Sequence, residues 1–507
     1  MPSLLKEWLA RSSTALRFVL PVLLLLCVVR LWLLPLRSGF WVDEMVTAFV
    51  VQHGSSDPSL AIAPQVTKSI YYVLPKAAIA MFGSSELVYR LPSLILAGIA
   101  LIFVTLIARR LIRRDAGWFA VFACFGLRSL DYEAGDARPY ALGICVAAGA
   151  LLFLIRWLDD GRLSDGALFV IFAAMLWRVQ LVYWPVYIVF ALYAIVRVLK
   201  RDTGPSPLGV AVLFAIVGLT LIPVLLDALP LFREARAHVI VELPDVREIW
   251  NSLKIGLFLT CGLGALAFAY LFDLPRVLQR PQAPTVVILL GWWLCAPVGL
   301  FAMSWITGNS LFVQRYMSES LPGTALGATL AASLFLPSGF WKPAAAMLGL
   351  GILLFTRAPH QASDWRAASK AIHQLGITAD TPVIVPSPFI EARSPVWTPD
   401  YALPGFLYCH LDYYPVQGKL LLFPFEGAPE GRSYAKELVE TTLSSSPRFV
   451  IYGGDLSVRI WRDWFQDQPQ FEGWRERSLG QFGDVEAVVF ERTVDSSSAA
   501  RIEFGQP

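Results

Sequence analysis

The stretch RFVLPVLLLLCVVRLWLLPLRSGFWVDE, Arg17 to Glu44, decides the fold. From Phe18 to Leu36 its one charged residue is Arg30. A membrane-spanning helix needs about 20 mostly apolar residues. This run meets that need, and Lys6, Arg11 and Arg17 precede it. No small-residue cleavage site follows, so it reads as a retained helix rather than a signal peptide. The basic flank predicts a cytoplasmic N-terminus. The run then ends in a polar segment that presents two adjacent acids, Asp43 and Glu44.

The rest of the chain extends the pattern. Of 507 residues, 56% are apolar and 16% charged, with a mean hydropathy of +0.56. A soluble domain carries about 25% charged residues. These values exclude a disordered chain, a secreted disulfide scaffold and an ordinary soluble enzyme. The charge is uneven: residues 361–507 are about 22% charged and residues 1–360 about 14%, which marks a soluble tail on a membrane body. The domains predicted are therefore a membrane body, 1–360, with its first outer loop at 37–87, and an extracytoplasmic α/β domain, 361–507. A net charge of +3 gives no reason to expect a nucleic-acid partner. Five cysteines sit in apolar runs and Cys409 alone lies in the tail, so the tail has no internal disulfide.

Later candidate spans fall near 88–108, 117–131, 138–157, 166–180, 182–199, 208–228, 252–272, 284–305, 316–336 and 341–356, which makes about eleven transmembrane helices. Charge supports the order. Arg109, Arg110, Arg113 and Arg114, then Arg156 and Arg162, then Arg197, Lys200 and Arg201, then Arg276 and Arg280, then Lys342 fall in alternate loops, as cytoplasmic loops should. An odd number of spans places the tail outside. Residues 69–82 are apolar but short and contain Pro75 and Lys76, so an interfacial helix on the outer leaflet is expected.

On this topology the outer loops collect polar residues: Asp43 and Glu44; Asp131, Glu133, Asp136 and Arg138, followed by Tyr140; and Gln314, Arg315 and Tyr316. Ionisable groups at membrane helix ends are costly unless paired or wet, which makes them functional candidates. Helix caps and solvated loop acids are the plain alternative for each. No GxGxxG, Walker, GxSxG or HExxH pattern occurs, and five histidines show no metal-ligand spacing. A carboxylate can take the proton of an attacking hydroxyl, while arginine and lysine can hold a phosphate that leaves. Group transfer from a lipid phosphate and mere binding of a lipid headgroup during transport both suit this set.

The motifs separate the two. An apolar first helix followed by Trp41-Val-Asp43-Glu44 resembles the GT-C type of polyprenyl-phosphate-dependent glycosyltransferases, and more closely the bacterial relatives of protein O-mannosyltransferases and lipid A aminoarabinose transferases. Phe82-Gly83-Ser-Ser-Glu-Leu-Val-Tyr-Arg90-Leu91-Pro92-Ser93 resembles that family's FGxSExxxRLPS; Asp136-Ala137-Arg138-Pro139-Tyr140-Ala141-Leu142 resembles EARPYAL; Arg315-Tyr316 with Pro322 resembles RYxxxxxP; Asp364-Trp365-Arg366 resembles DWR. The likeness covers most of residues 15–370. It departs where relatives carry His-Pro-Pro or Lys-Pro-Pro: here Thr67-Lys68-Ser69-Ile70 keeps the lysine without the prolines. Asp136 also stands where the family has Glu.

The resemblance implies an inverting transfer of a sugar from a polyprenyl-phosphate donor to a hydroxyl acceptor (glycan, lipid or protein) at the outer face of a bacterial inner membrane. Asp43 is then the expected general base. Glu44 orients the acceptor or caps the following helix. Asp136 binds sugar hydroxyls or pairs with Arg138. Arg138 and Arg315, joined by Lys68, are expected at the phosphate, with Tyr140 and Tyr316 beside them. Asp131 and Glu133 read as solvated loop acids. One class of relatives uses a divalent metal. Asp43, Glu44 and Asp136 could supply oxygen ligands, but nothing in the sequence demands a metal. The remaining alternatives are a transporter or flippase of lipid-linked sugars, and an envelope-polysaccharide polymerase or ligase.

The tail reads as a partly parallel α/β domain. Strands are expected at 382–386, 448–452 and 484–490, and helices at 365–375, 431–443 and 456–466.

Overall fold

The computed structural model describes residues 2–234, 242–274, 281–357 and 363–493. Two compact units emerge. One comprises residues 1–37 and 68–360, the other residues 38–67 and 361–507. Residues 38–67, expected to belong with the membrane body, pack with the tail instead.

The first unit is helical. Each of the eleven apolar stretches contains helix, but length divides them. Among the described residues, six helices are long and apolar enough to cross a membrane: Ala15–Arg37, Glu86–Leu111, Tyr140–Asp160, Leu181–Leu199, Pro207–Ala228 and Ala283–Thr307. A bent pair, Val246–Ser252 and Ile255–Leu271, makes a seventh if it counts as one span. Helices such as Gly117–Phe125 and Leu321–Ser333 are shorter than a bilayer requires, so the count of eleven does not follow from length. Residues 70–82 form a short apolar helix, as expected. Outward positions such as Phe18, Leu25, Ile102, Leu219 and Ile306 are exposed and apolar. A soluble protein rarely shows so much apolar surface, and the unit is that of a multi-pass membrane protein.

Tyr140–Asp160 is the central helix, because its small residues admit close neighbours. A Cβ at Gly143 would lie 2.3 Å from the Tyr183 ring, and one at Gly149 would lie 2.7 Å from Phe172. Helices Glu86–Leu111 and Leu163–Val179 flank it.

Three of the predicted inner loops meet at one end of this unit. Arg110 pairs with Asp159 at 2.5 Å and with Asp160 at 3.2 Å, while the buried Arg197 reaches Asp159 at 2.7 Å. A polar cavity of about 400 Å³ lies among Arg110, Asp159, Arg197 and Asp202. Arg113 donates to Ser338 at 2.7 Å, which brings the loop before Lys342 to the same end. Arg276 and Arg280 lie outside the described residues.

The second unit contains a five-stranded sheet: β1 (Pro382–Pro386), β2 (Lys419–Phe423), β3 (Arg448–Gly454), β4 (Trp474–Gln481) and β5 (Val485–Arg492). The order is β2-β1-β3-β5-β4. The β1 strand pairs in parallel with β2 and β3, and β5 runs antiparallel between β3 and β4. The partly parallel sheet is as expected. The helices Trp365–Gln374, Pro429–Leu438 and Asp455–Gln466 also fall where the sequence puts them. The two strands not foreseen are β2, five residues long, and β4, a charged edge strand without apolar alternation.

His410 is fully buried in this unit, packed against Trp365 in a tilted arrangement at 4.6 Å between ring centroids and near Tyr452 at 5.8 Å. Burial pushes its pKa from 6.5 down to about 3. Below about pH 6.5 the unfolded chain binds a proton that the folded chain refuses, so stability falls with pH across that window. His410 is expected to contribute a loss of about 1.4 kcal/mol per pH unit below about pH 6. In His410→Leu, melting temperature measured from about pH 6 down to about pH 4 should lose that part of its slope. An unchanged slope would assign the acid sensitivity to other groups.

Candidate functional site

The Asp43 side begins with helix Val42–His53. Trp41 precedes it in extended conformation, and its carbonyl accepts from the backbone N–H groups of Glu44 (3.0 Å) and Met45 (3.1 Å). Glu44 is buried, and its Oε2 accepts the Trp41 N–H at 3.4 Å. That contact gives Glu44 the capping role named above as one of its two options. Asp43, the neighbouring first-turn acid, is half-buried, and its carbonyl accepts from the Thr47 hydroxyl at 3.5 Å. Both acids lie at the positive end of the helix, where a carboxylate is favoured. At the far end, His53 Nε2 lies 2.8 Å from Asp412 Oδ2.

The remaining candidates lie in the helical unit. The short helix Arg128–Ala134 and the Asp136–Pro139 turn lead into the central helix. Asp136 and Tyr140 are buried and Arg138 is half-buried. The turn Gln314–Ser320 packs against the central helix and the helix Arg128–Ala134, and the Gln314 amide donates to Ser129 at 2.8 Å. The structure thus brings the Asp136–Tyr140 segment and the Arg315–Tyr316 segment together, although they are far apart in sequence. The Arg315 guanidinium lies 5.9 Å from the Tyr316 ring centroid, a cation–π arrangement that holds the arginine in place.

Lys68 is more loosely held. It is exposed and pairs with Asp227 at 3.9 Å, while the neighbouring Ser69 hydroxyl donates to the Val179 carbonyl at 2.8 Å. An exposed pair of that length contributes little, so the lysine is available to a stronger anion.

Two expectations need correcting. Asp131 and Glu133 are not solvated loop acids: both are buried. Asp131 Oδ1 accepts the Trp32 indole N–H at 2.8 Å, which ties the helix Arg128–Ala134 to the first span. An indole donor 99 residues away gives no local sequence signal.

Glu319 escaped the sequence reading. It is fully buried, and neither carboxyl oxygen has a hydrogen-bond partner among the described residues. Its backbone carbonyl accepts from Trp292 Nε1 at 2.8 Å. Glu319, Glu133 and Tyr140 lie within electrostatic reach of Tyr183, whose hydroxyl meets Ser318 Oγ at 2.7 Å. The available signal was an acid inside the predicted span 316–336, where an ionisable residue is a functional candidate by default.

Among the described residues no group of three His, Cys, Asp or Glu side chains is placed to hold a metal ion.

The sequence model of the family described as dolichyl-phosphate-mannose-protein mannosyltransferase matches residues 70–226. That range holds Asp136, Arg138 and Tyr140 and leaves out Asp43, Lys68 and Arg315. No curated protein sequence matches the chain significantly. Among solved structures it is similar to ArnT from Cupriavidus metallidurans. The apo form aligns with a TM-score of 0.54 and 12% identity over 94% of this chain and 98% of that one. The form bound to undecaprenyl phosphate aligns with a TM-score of 0.52 and 12% identity over 96% and 99%. At this identity the likeness establishes the fold, shared over nearly the full length of both chains. The GT-C resemblance drawn from the motifs is supported at that level.

Proposed function

We propose that the chain is an integral-membrane inverting glycosyltransferase that moves a sugar from a polyprenyl-phosphate donor to a hydroxyl acceptor at the outer membrane face. The observation that carries this reading is the fold shared with ArnT, a protein whose solved form holds undecaprenyl phosphate. The family match over residues 70–226 adds to it.

The chemistry follows from charge. The acceptor oxygen attacks the anomeric carbon and forms the new C–O bond. Its proton passes to the Asp43 carboxylate. The bond from the anomeric carbon to the phosphate oxygen breaks, and the electron pair leaves with polyprenyl phosphate. Attack opposite the leaving phosphate inverts the anomeric centre. A phosphate monoester has a second pKa near 6, so it departs without a proton and no general acid is needed. It gains one negative charge as it leaves. Arg138, Arg315 and Lys68 are the groups we assign to that charge, because fixed cations stabilise it most where it develops. Asp136 is assigned to sugar hydroxyls.

The test is mass spectrometry of envelope glycans, glycolipids and glycoproteins from cells with and without the protein. The expected result is loss of one hexose or pentose from a defined acceptor, with its lipid-phosphate donor accumulating. Unchanged glycans and no donor accumulation would overturn the reading.

A further inference from the structure

We propose that the soluble tail is the positioning element for the Asp43 helix, acting through Asp364, Asp412 and Tyr414. The proposal rests on the role given to Asp43 above and assigns the tail a part in the same reaction. A base works only when held within a fraction of an ångström of its proton, and a helix of three turns does not hold itself in place.

Contacts reach that helix and its flanks from the tail sequence, more than 300 residues later. On the near side, the Phe40 N–H donates to the Tyr414 hydroxyl oxygen at 2.8 Å in a buried contact. The Phe40 ring lies 4.8 Å from that of Tyr413. The chain there runs so close to the tail that a Cβ on Gly39 would sit 2.8 Å from Asp364 Oδ1 and 3.3 Å from Arg366 Cβ. That aspartate oxygen is itself fixed, since it accepts the Ala367 N–H at 3.0 Å as the cap of helix Trp365–Gln374. On the far side, His53 is held by Asp412 at 2.8 Å. Further along the same outer segment, the Phe406 N–H donates to Ser59 Oγ at 3.0 Å.

Asp412, Tyr413 and Tyr414 come from one short turn, Cys409–Tyr413 and the residue after it, which packs on helix Val42–His53. That turn is rooted in the α/β core. His410 lies under Trp365 and beside Tyr452 of β3, and the Ser369 hydroxyl donates to the Pro415 carbonyl at 2.9 Å. Tyr452, His410, Asp412 and Tyr414 thus form a connected path from the sheet to the Asp43 helix. Asp364-Trp365-Arg366 supplies both the wall beside Gly39 and the ring over His410, which gives that motif a physical purpose.

The test uses full-length protein in nanodiscs with a polyprenyl-phosphate sugar, and the variants Tyr414→Phe, Gly39→Ala and Asp412→Ala. Two quantities are read: turnover against polyprenyl-phosphate affinity, and hydrogen exchange of residues 38–53. The expected result is kcat lowered about tenfold at unchanged donor Kd, because misplacement by about 1 Å costs up to about a hundredfold. Exchange should rise in residues 38–53 and stay unchanged in the sheet. Asp412→Asn, which still accepts a hydrogen bond from His53, should restore most of kcat. Wild-type kcat and wild-type exchange in both Tyr414→Phe and Gly39→Ala overturn the proposal, as does a loss confined to donor affinity. Asp43→Asn in the same assay separates the two readings. If it is inactive while the clamp variants match wild type, the clamp fails and the base stands. If it is active, the base assignment fails, and with it any catalytic purpose for the clamp.

Discussion

Asp43→Asn is expected to abolish measurable transfer, a loss of about 10²- to 10⁴-fold, while the protein folds and binds donor as before. The amide matches the carboxylate in size and still accepts a hydrogen bond, but it cannot take the acceptor's proton at neutral pH. Asp43 is half-buried in the first turn of helix Val42–His53, and losing one favourable charge there costs about 0.3–1 kcal/mol. Glu44, which caps Trp41, is untouched. The measurements are turnover of purified protein with a polyprenyl-phosphate sugar, thermal unfolding, and donor binding. Wild-type turnover in a folded Asp43→Asn protein would sink the base assignment.

Arg315→Ala should weaken polyprenyl-phosphate binding by about 10- to 100-fold, the range for losing a hydrogen bond to a charged group. Its setting favours this choice over Lys68. Arg315 is half-buried and stacked on Tyr316, so little freedom is lost when it binds an anion. Lys68 is exposed, with a 3.9 Å partner. Lys68→Ala should therefore have the smaller effect. Arg315→Lys should recover part of the affinity, because the charge returns without the planar fork. Binding of polyprenyl phosphate to the reconstituted variants reads both effects, and an unchanged dissociation constant in Arg315→Ala would remove this residue from the site.

Much of the candidate site was legible in sequence because its residues sit next to helix starts with recognisable neighbours. Trp41 to Glu44, Asp136 to Tyr140 and Arg315 to Tyr316 could all be named that way. What those residues touch could not. Asp131 looked like one more loop acid until Trp32 appeared as its buried donor. Glu319 lay unnoticed inside the expected span 316–336 until its burial, with no hydrogen-bond partner for its carboxyl oxygens among the described residues, became visible. The capping contact of Glu44 spans three residues and was foreseeable; the 2.8 Å contact between Phe40 and Tyr414 spans 374 and was not.

The sequence by itself determined the class of protein: apolar runs of spanning length, arginines in alternate loops, and a tail with the charge of a soluble domain. These are local properties, set by how each segment partitions between water and hydrocarbon, and no partner is needed to read them. Tertiary structure alone decided that residues 38–67 belong with the tail, that the Asp136 and Arg315 segments are neighbours, and that two apparent loop acids are buried. Each of those outcomes depends on contacts between distant parts of the chain, where burial and hydrogen-bond satisfaction choose the partner and local composition carries no record of the choice.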